Sequence, residues 1–315
     1  MTTGHANRQA GRTLFVGTRG SRLALRQTES VVALLKERCP DYSFDLRIFR
    51  TTGDLRPQPL SEIAGEGVFT KELEAALLTG EIDLAVHSLK DLPTEMAHHL
   101  VVAAVTLRGD PRDALVSRDK TPLAKLPAGA RIGTGSVRRA AQLRLLRPDL
   151  EPVPIRGNVD TRVRKAEAGE VDAVIVAAAA LARLGWLDRA AEVISLEAML
   201  PAPGQGALAV ETRSDDDETR SIVSAVDDRD SHLATNAERA FLRGLGGGCR
   251  IPVAAHAVVK NGELRLDGLV VDPLGRGAFR GEIDGDPEDA ESLGKSLAHS
   301  LLADGASKIL EEMAP

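Results

Sequence analysis

A thiol stands at the end of a glycine run, Gly246-Gly247-Gly248-Cys249-Arg250. Three glycines let the backbone approach a ligand closely, and Arg250 favours the thiolate, the nucleophilic form of cysteine. An inert buried cysteine is the commoner fate of the residue. A core cysteine needs no polyglycine lead, however, so the functional reading is favoured for Cys249. Cys39, beside Pro40 at the end of a helical pattern, is read as structural. A second candidate is a carboxylate. His87-Ser88-Leu89-Lys90-Asp91 follows an apolar run over 82–86, and Pro93 fixes the chain two residues on. Lys90 and Asp91 are open to two readings, a surface ion pair or a positioned carboxylate. In an arginine-lined cleft, Asp91 could hold or accept a proton on a cationic substrate centre.

The arginines are unevenly spread. Between Arg131 and Lys165 nine basic residues face only three acids, Asp149, Glu151 and Asp160, in a chain of net charge −6. Arginine is the residue for fixed, bidentate recognition of carboxylate or phosphate. Arg144 and Arg147 read as plain surface residues. Arg138 and Arg139 differ, because they follow Gly133-Thr134-Gly135-Ser136 at a helix start, where free N–H groups and the helix dipole already favour an anion. Arg156-Gly157-Asn158 repeats the arrangement of strand end, glycine and capping residue. In the first part of the chain, Thr18-Arg19-Gly20-Ser21 also lies between a strand and a helix. Ser21 reads first as an N-cap, with Arg19 free to face a shared cleft. Together these residues describe a protein that grips a polycarboxylate and works from one cysteine.

Alternating elements would hold these residues. Leu14–Val16, 44–49, 82–86 and 100–105 read as strands, and 22–35 and 70–78 as helices, which predicts a largely parallel sheet covered on both faces. A second αβ unit of similar size runs through strands near 131–132, 152–155 and 171–176, with helices to 146 and over 158–168; no repeat links the two units. Pro203-Gly204-Gln205-Gly206 reads as a hinge or a loop. The acid-rich stretch 214–230 reads as a solvated helix face and linker. Beyond it, a helix over 232–243, three strand-like runs (254–259, 263–271, 277–283) and one amphipathic helix from 287 toward 313 predict a small α+β domain.

Bulk properties narrow the function. The 315 residues are too many for one ordinary core, and 43% hydrophobic and 27% charged residues fit a globular protein. A net charge of −6 and 3% aromatic residues argue against a nucleic-acid binder, which needs a positive field and stacking platforms. The longest apolar run, 173–182, is far shorter than the roughly 20 residues of a membrane span. The first twelve residues are polar, without a signal-peptide core, so a cytoplasmic location is expected. Two cysteines with no CxxC spacing indicate neither a disulfide framework nor a metal site.

Taken in order, six segments resemble the porphobilinogen deaminase (hydroxymethylbilane synthase) family: Gly17-Thr18-Arg19-Gly20-Ser21 with Leu23-Ala24-Leu25; Ala85-Val86-His87-Ser88-Leu89-Lys90-Asp91-Leu92-Pro93-Thr94; Gly133-Thr134-Gly135-Ser136-Val137-Arg138-Arg139; Arg156-Gly157-Asn158-Val159-Asp160-Thr161-Arg162; Pro203-Gly204-Gln205-Gly206-Ala207; and Gly247-Gly248-Cys249. Six collinear motifs are far more specific than any one. The resemblance implies a transferase of tetrapyrrole (haem) biosynthesis that joins four porphobilinogen molecules, with loss of ammonia, into hydroxymethylbilane. It implies a dipyrromethane cofactor attached through a thioether to Cys249, Asp91 as catalytic carboxylate, and Lys90, Ser136, Arg138, Arg139, Arg162 and Arg183 as cofactor-binding. Arg19, Ser21 and Arg156 would bind substrate carboxylates. It implies a monomer of α/β class with three domains: two lobes resembling periplasmic binding proteins, 13–106 with 207–224 and 107–206, and a small α+β domain, 229–315, that carries the cysteine.

This chain departs from the family pattern in three places. Glu62 and Glu66 stand in the 60–68 loop where many members have lysines, Gly135 replaces a common serine, and Arg22 a common proline. Two rival readings are a non-catalytic two-lobed protein that binds a polycarboxylate, and a cysteine-nucleophile enzyme for anionic substrates. The first leaves Cys249 without a job; the second needs a general base that no histidine spacing supplies.

Overall fold

The computed structural model describes residues 12–51, 70–247 and 251–313. Cys249, with its neighbours Gly248 and Arg250, and the loop bearing Glu62 and Glu66 lie outside the described residues.

The first sheet begins with β1 (Thr13–Arg19), which leads into α1 (Arg22–Arg38). Ser21 starts that helix: its Oγ accepts from the N–H of Ala24 at 3.2 Å. Ala24, Thr28, Val31, Val32 and Leu35 recur at three- and four-residue spacing and are buried on the sheet, while Lys36 and Arg38 suit the negative end of the helix. β2 (Ser43–Phe49), α2 (Lys71–Leu78), β3 (Leu84–Ser88) and β4 (Leu100–Val105) follow. The second sheet holds β5 (Asp113–Ser117), β6 (Arg131–Gly133), β7 (Glu151–Val153), β8 (Ala173–Ala177) and β9 (Glu192–Val193). Its helices are α3 (Val137–Leu146), α4 (Val159–Glu167) and α5 (Ala178–Leu184). The chain then returns as β10 (Leu208–Arg213) to the first sheet.

The strand orders are β2-β1-β3-β10-β4 and β7-β6-β8-β5-β9. In each sheet three parallel strands are followed by one that runs against both its neighbours, β10 in the first and β5 in the second. The sheets are therefore mixed rather than largely parallel. The antiparallel members are the strands entered by the two segments that cross between the lobes, so their direction follows from the crossing. Those segments are joined along their backbones: Thr106 N–H donates to Leu208 O at 3.0 Å and Gly109 N–H to Gly206 O at 3.1 Å. Gly206, at φ 94°, allows this approach; a Cβ there would lie 2.6 Å from Gly109 O.

α6 (Asp217–Val223) and α7 (Arg229–Gly244) use the acidic stretch as caps. Asp216 accepts from Thr219 N–H and Asp228 from Ser231 N–H. The acids read as a solvated linker are thus partly helix-starting groups. β11 (Val253–Lys260), β12 (Glu263–Val271) and β13 (Ala278–Gly285) form an antiparallel sheet. α7 and α8 (Ala290–Leu301) cover one face of it around Phe241, Leu266 and Leu297. The final helix is not continuous: the chain breaks at Gly305, φ 118°, before α9 (Ser307–Glu311).

Glu238 ties the C-terminal domain to the crossing segments, and Trp186 bridges the two lobes. Fully buried Glu238 on α7 pairs with Arg108 of a crossing segment at 2.6 and 3.1 Å. It also accepts from the N–H groups of Gly204 (2.6 Å) and Ala257 (2.7 Å). The ring of Trp186, just beyond α5, meets both Arg189 and Arg22, whose guanidinium carbons stand 4.3 and 5.0 Å from the ring centroid. Arg22 thus bridges the first lobe to the second.

α7 and α8 touch closely at Gly294, where a Cβ would fall 2.3 Å from Ala237 O and 2.8 Å from the Cβ of Ala240. Gly294→Ala should therefore destabilise the fold by about 2 kcal/mol, as overpacking outweighs the better helix propensity of alanine. A urea unfolding midpoint lower than that of the parent checks this.

Candidate active site

The turn that carries the carboxylate follows β3. Leu89–Asp91 is a single 3₁₀ turn, closed by Leu92 N–H to Leu89 O at 3.1 Å, and Leu89 is anchored by donating to Ala207 O. Asp91 is half-buried and makes no hydrogen bond or ion pair among the described residues. Lys90 does not pair with it. Its Nζ reaches across to Gln205 Oε1 at 3.2 Å, so the surface-pair reading of Lys90-Asp91 falls.

In the second lobe, Ser136 caps α3 by accepting from Arg139 N–H at 3.4 Å, and its backbone N–H donates to Thr134 Oγ1. The two arginines that follow turn inward. Arg138 donates to Leu200 O at 2.5 Å and to Asp113 Oδ2 at 2.8 Å. Arg139 donates to Asp113 Oδ1 through Nε (3.1 Å) and Nη2 (2.7 Å), and to Ile175 O and Gln205 Oε1. The sequence places both arginines against a ligand; the structure gives them an internal partner. Asp113 is that partner, at the start of β5 with no solvent exposure. Burial alone would raise its carboxyl. The guanidinium groups of Arg138 and Arg139, with hydrogen bonds from Arg139 and Gln205, overcome this and hold it well below the usual carboxylate range.

Gln205 ties the two sides together. Its Oε1 accepts from Lys90 and Arg139, and its Nε2 donates to Asp113 Oδ1 at 2.8 Å and Pro111 O at 2.7 Å. The sequence signal for this residue was the Pro-Gly-Gln-Gly turn, read only as a hinge or loop. Asp113 gave less signal, since its strand is a short buried run without periodicity.

The other cations stand at the ends of neighbouring elements. Arg156 lies between β7 and α4, with its Nη2 buried and without a hydrogen-bond partner among the described residues. Arg162, on α4, donates from Nε to Gly157 O at 2.7 Å. Burial, with the charges of Arg139 and Arg156 and against that of Asp91, pulls its pKa down to about 10. Burial lowers Arg183 to about 10 as well, and its Nη2 donates to Gly206 O at 2.6 Å on a crossing segment. Lys90 is lowered to about 8, by burial first and then by Arg139, with Asp91 opposing. Lys90, Asp91, Arg139, Arg156 and Arg162 therefore share one electrostatic site at the C-terminal ends of parallel strands, where open α/β sheets bind ligands. With Arg138 and Asp113 included, five cationic heads face two carboxylates, a surplus suited to a polycarboxylate ligand. Arg19 ends β1, the strand beside β3, and Ser21 caps α1. Among the described residues no group of three or more His, Cys, Asp or Glu could hold a metal ion, and no helix is long and apolar enough to cross a membrane.

Asp113→Asn should leave two buried arginines with one neutral acceptor, costing about 3 kcal/mol or more of stability. A urea midpoint unchanged from the parent would remove Asp113 from this role.

Comparison with known proteins fits this geometry. The family description "Porphobilinogen deaminase, dipyromethane cofactor binding domain" matches residues 14–221, and "Porphobilinogen deaminase, C-terminal domain" matches 232–303. Porphobilinogen deaminase of Syntrophus aciditrophicus is 48% identical over 298 residues, which cover 94% of this chain and 97% of that protein. That of Acidothermus cellulolyticus is 51% identical over 303 residues, 95% of this chain and 91% of that one. Among solved structures, the periplasmic aliphatic sulphonate binding protein SsuA from Escherichia coli aligns over 73% of this chain and 70% of its own, at 16% identity and a TM-score of 0.39. The family matches together span nearly all of the described fold, and the chain belongs to the porphobilinogen deaminase family.

Proposed function

We propose that Asp91 and the cations around it carry out the family's reaction in this chain, the head-to-tail condensation of four porphobilinogen molecules to hydroxymethylbilane with loss of ammonia at each step. The chain is a transferase by family, and its larger matched region is a cofactor-binding domain. The observation that carries the reading is the surplus of positive charge around one unpartnered carboxylate, with Arg156 Nη2 buried and unsatisfied. A pyrrole chain bearing acetate and propionate groups supplies the missing anions; a neutral ligand would leave that charge uncompensated.

The residues present suit a dipyrromethane. Lys90, Ser136, Arg138, Arg139, Arg162 and Arg183 would hold its carboxylates, with Arg138 and Arg139 acting largely through the field they set up around Asp113. When bound, the dipyrromethane supplies the free pyrrole α-carbon on which the chain is built. Its attachment point, Cys249, is a thiol that would form a thioether. Arg19, Ser21 and Arg156 would orient the carboxylates of incoming porphobilinogen. As the bond from the aminomethyl carbon to nitrogen breaks, positive charge spreads over the substrate ring toward its N–H, and the Asp91 carboxylate stabilises it there. Nitrogen leaves as ammonia. Asp91 would then take up the proton released when the methylene carbon joins the growing chain and pass it to solvent. Lobes 13–106 with 207–224 and 107–206 would form the two walls of this cleft, with domain 229–315 presenting the cysteine; a monomer contains every group named.

The test is the intact mass of the purified protein, with Ehrlich's reagent on a second sample. A mass excess of two condensed porphobilinogen units, absent in Cys249→Ala, with a positive colour and turnover of porphobilinogen, supports the reading. An unmodified mass with no colour and no turnover would favour a two-lobed polycarboxylate-binding protein instead.

Asp91→Asn should lower kcat by at least about 100-fold with little change in melting temperature, because the carboxylate has no hydrogen-bond or ion-pair partner to lose among the described residues. Near-normal kcat would sink its catalytic role. Lys90 gives a pH signature. Its lowered pKa means that the ammonium is present below pH 8 and is lost as pH rises through about 8. Since only the charged form attracts a carboxylate, KM for porphobilinogen should climb above that pH. Lys90→Arg, which does not titrate in this range, should flatten the climb between pH 7 and 9.5.

A further inference from the structure

Arg239 lies on α7, in the domain that carries the cysteine, yet its head group is in the first lobe. It is buried, and its Nη2 donates to Pro93 O at 2.7 Å and to Thr94 O at 3.4 Å, while Nη1 donates to Leu92 O at 3.4 Å. Those three consecutive carbonyls belong to the residues directly after Asp91. Pro93 can donate nothing from its backbone, so this stretch cannot hold itself by an ordinary ladder. The guanidinium replaces the ladder with a planar fork of donors. No carboxylate within ion-pair distance accounts for its burial among the described residues; Glu211, within 3.0 Å of His87, acts on it only through its field.

The same helix leads to the cysteine. Its last turn passes into Gly246 and Gly247, both at positive φ, and a Cβ on Gly247 would lie 3.3 Å from Thr94 Oγ1. The backbone two residues before Cys249 therefore runs against the segment that Arg239 grips. The preceding residue on the helix, Glu238, is fixed to Arg108 and to Gly204. Rotation or sliding of α7 would break both sets of bonds together.

We infer that Arg239 is a positioning residue for Asp91: it locks the turn bearing the carboxylate to the helix that leads toward the cofactor cysteine, so that turn and helix keep a fixed separation during successive condensations. This rests on the reaction proposed above. The carboxylate must meet each new reacting centre at the same place, and a displacement of about 1 Å at a catalytic group costs about 100-fold in rate. Binding of porphobilinogen carboxylates is the work of other residues and does not depend on Arg239.

Arg239→Lys and Arg239→Gln test this in the full-length holoenzyme. Lysine keeps the charge and can reach one carbonyl; glutamine keeps a donor and loses the charge. For both, kcat should fall at least tenfold with KM within threefold of the parent and the covalent mass excess retained. Lysine should be the milder change. Hydrogen–deuterium exchange should rise over 89–96 and stay unchanged over 253–271. If kcat stays within twofold in both variants, or if exchange over 89–96 does not rise, the inference fails. Loss of the mass excess in step with kcat would also overturn it, by showing a role in cofactor loading instead. A parent protein without mass excess or turnover would count against the proposed reaction, while the exchange data would still report whether Arg239 holds the turn.

Discussion

Asp113 lies between Arg138 and Arg139 with no access to water, and the arrangement of the cleft follows from that contact. A site that attracts several carboxylates must collect like charges, and like charges repel. Burying one carboxylate beneath two arginines offsets part of that repulsion and fixes the arginines in direction. It leaves an unbalanced charge that Lys90, Arg156 and Arg162 extend. Gln205 then carries the arrangement across the cleft: one face of its amide meets the Asp113 carboxylate, the other Lys90 on the opposite wall. The neutral amide suits this place, since it donates to an anion and accepts from two cations at once.

Much of this was legible in the sequence, for identifiable reasons. Leu100–Val105 is a continuous apolar run and α1 shows helical spacing behind a serine cap; the structure places the strand at the expected residues and carries the helix three residues past Leu35, to Arg38. Lys90, Asp91, Arg139, Arg156 and Arg162 follow strand ends in the sequence and converge in space, because parallel strands bring their ends to one edge. Asp113 was not legible: its strand is five residues long, and its meaning depends on two arginines some 25 residues away. The direction of β10 was hidden too, since an antiparallel strand within a parallel set has no local signature. The straight C-terminal helix was expected from amphipathic spacing alone, and Gly305 interrupts it. Arg239 showed nothing in sequence beyond one more helix arginine; only the fold brings it to Leu92, Pro93 and Thr94.

Rigidity and freedom are divided between different parts of the molecule. α7 is bound on one side to the crossing segments through Glu238 and on the other to the Asp91 turn through Arg239. The wall carrying Arg156 and Arg162 is joined to the first lobe more lightly, by the Trp186 stack on Arg22 and by the single hydrogen bond from Lys90 to Gln205. Lobe movement is accordingly easier between the two walls than between the carboxylate and the helix that leads to the cysteine.

The position of β10 also governs how the chain can fold. It lies between β3 and β4, in the interior of the first sheet, yet it is made only after the whole second lobe. During synthesis, β3 and β4 emerge with no strand to join them and must wait for roughly a hundred further residues, at about 5–20 residues per second. The second lobe has all of its strands contiguous in sequence and can close first. The amino-terminal lobe, although translated earliest, is completed after its neighbour, and until then it presents two unpaired strand edges to the cell.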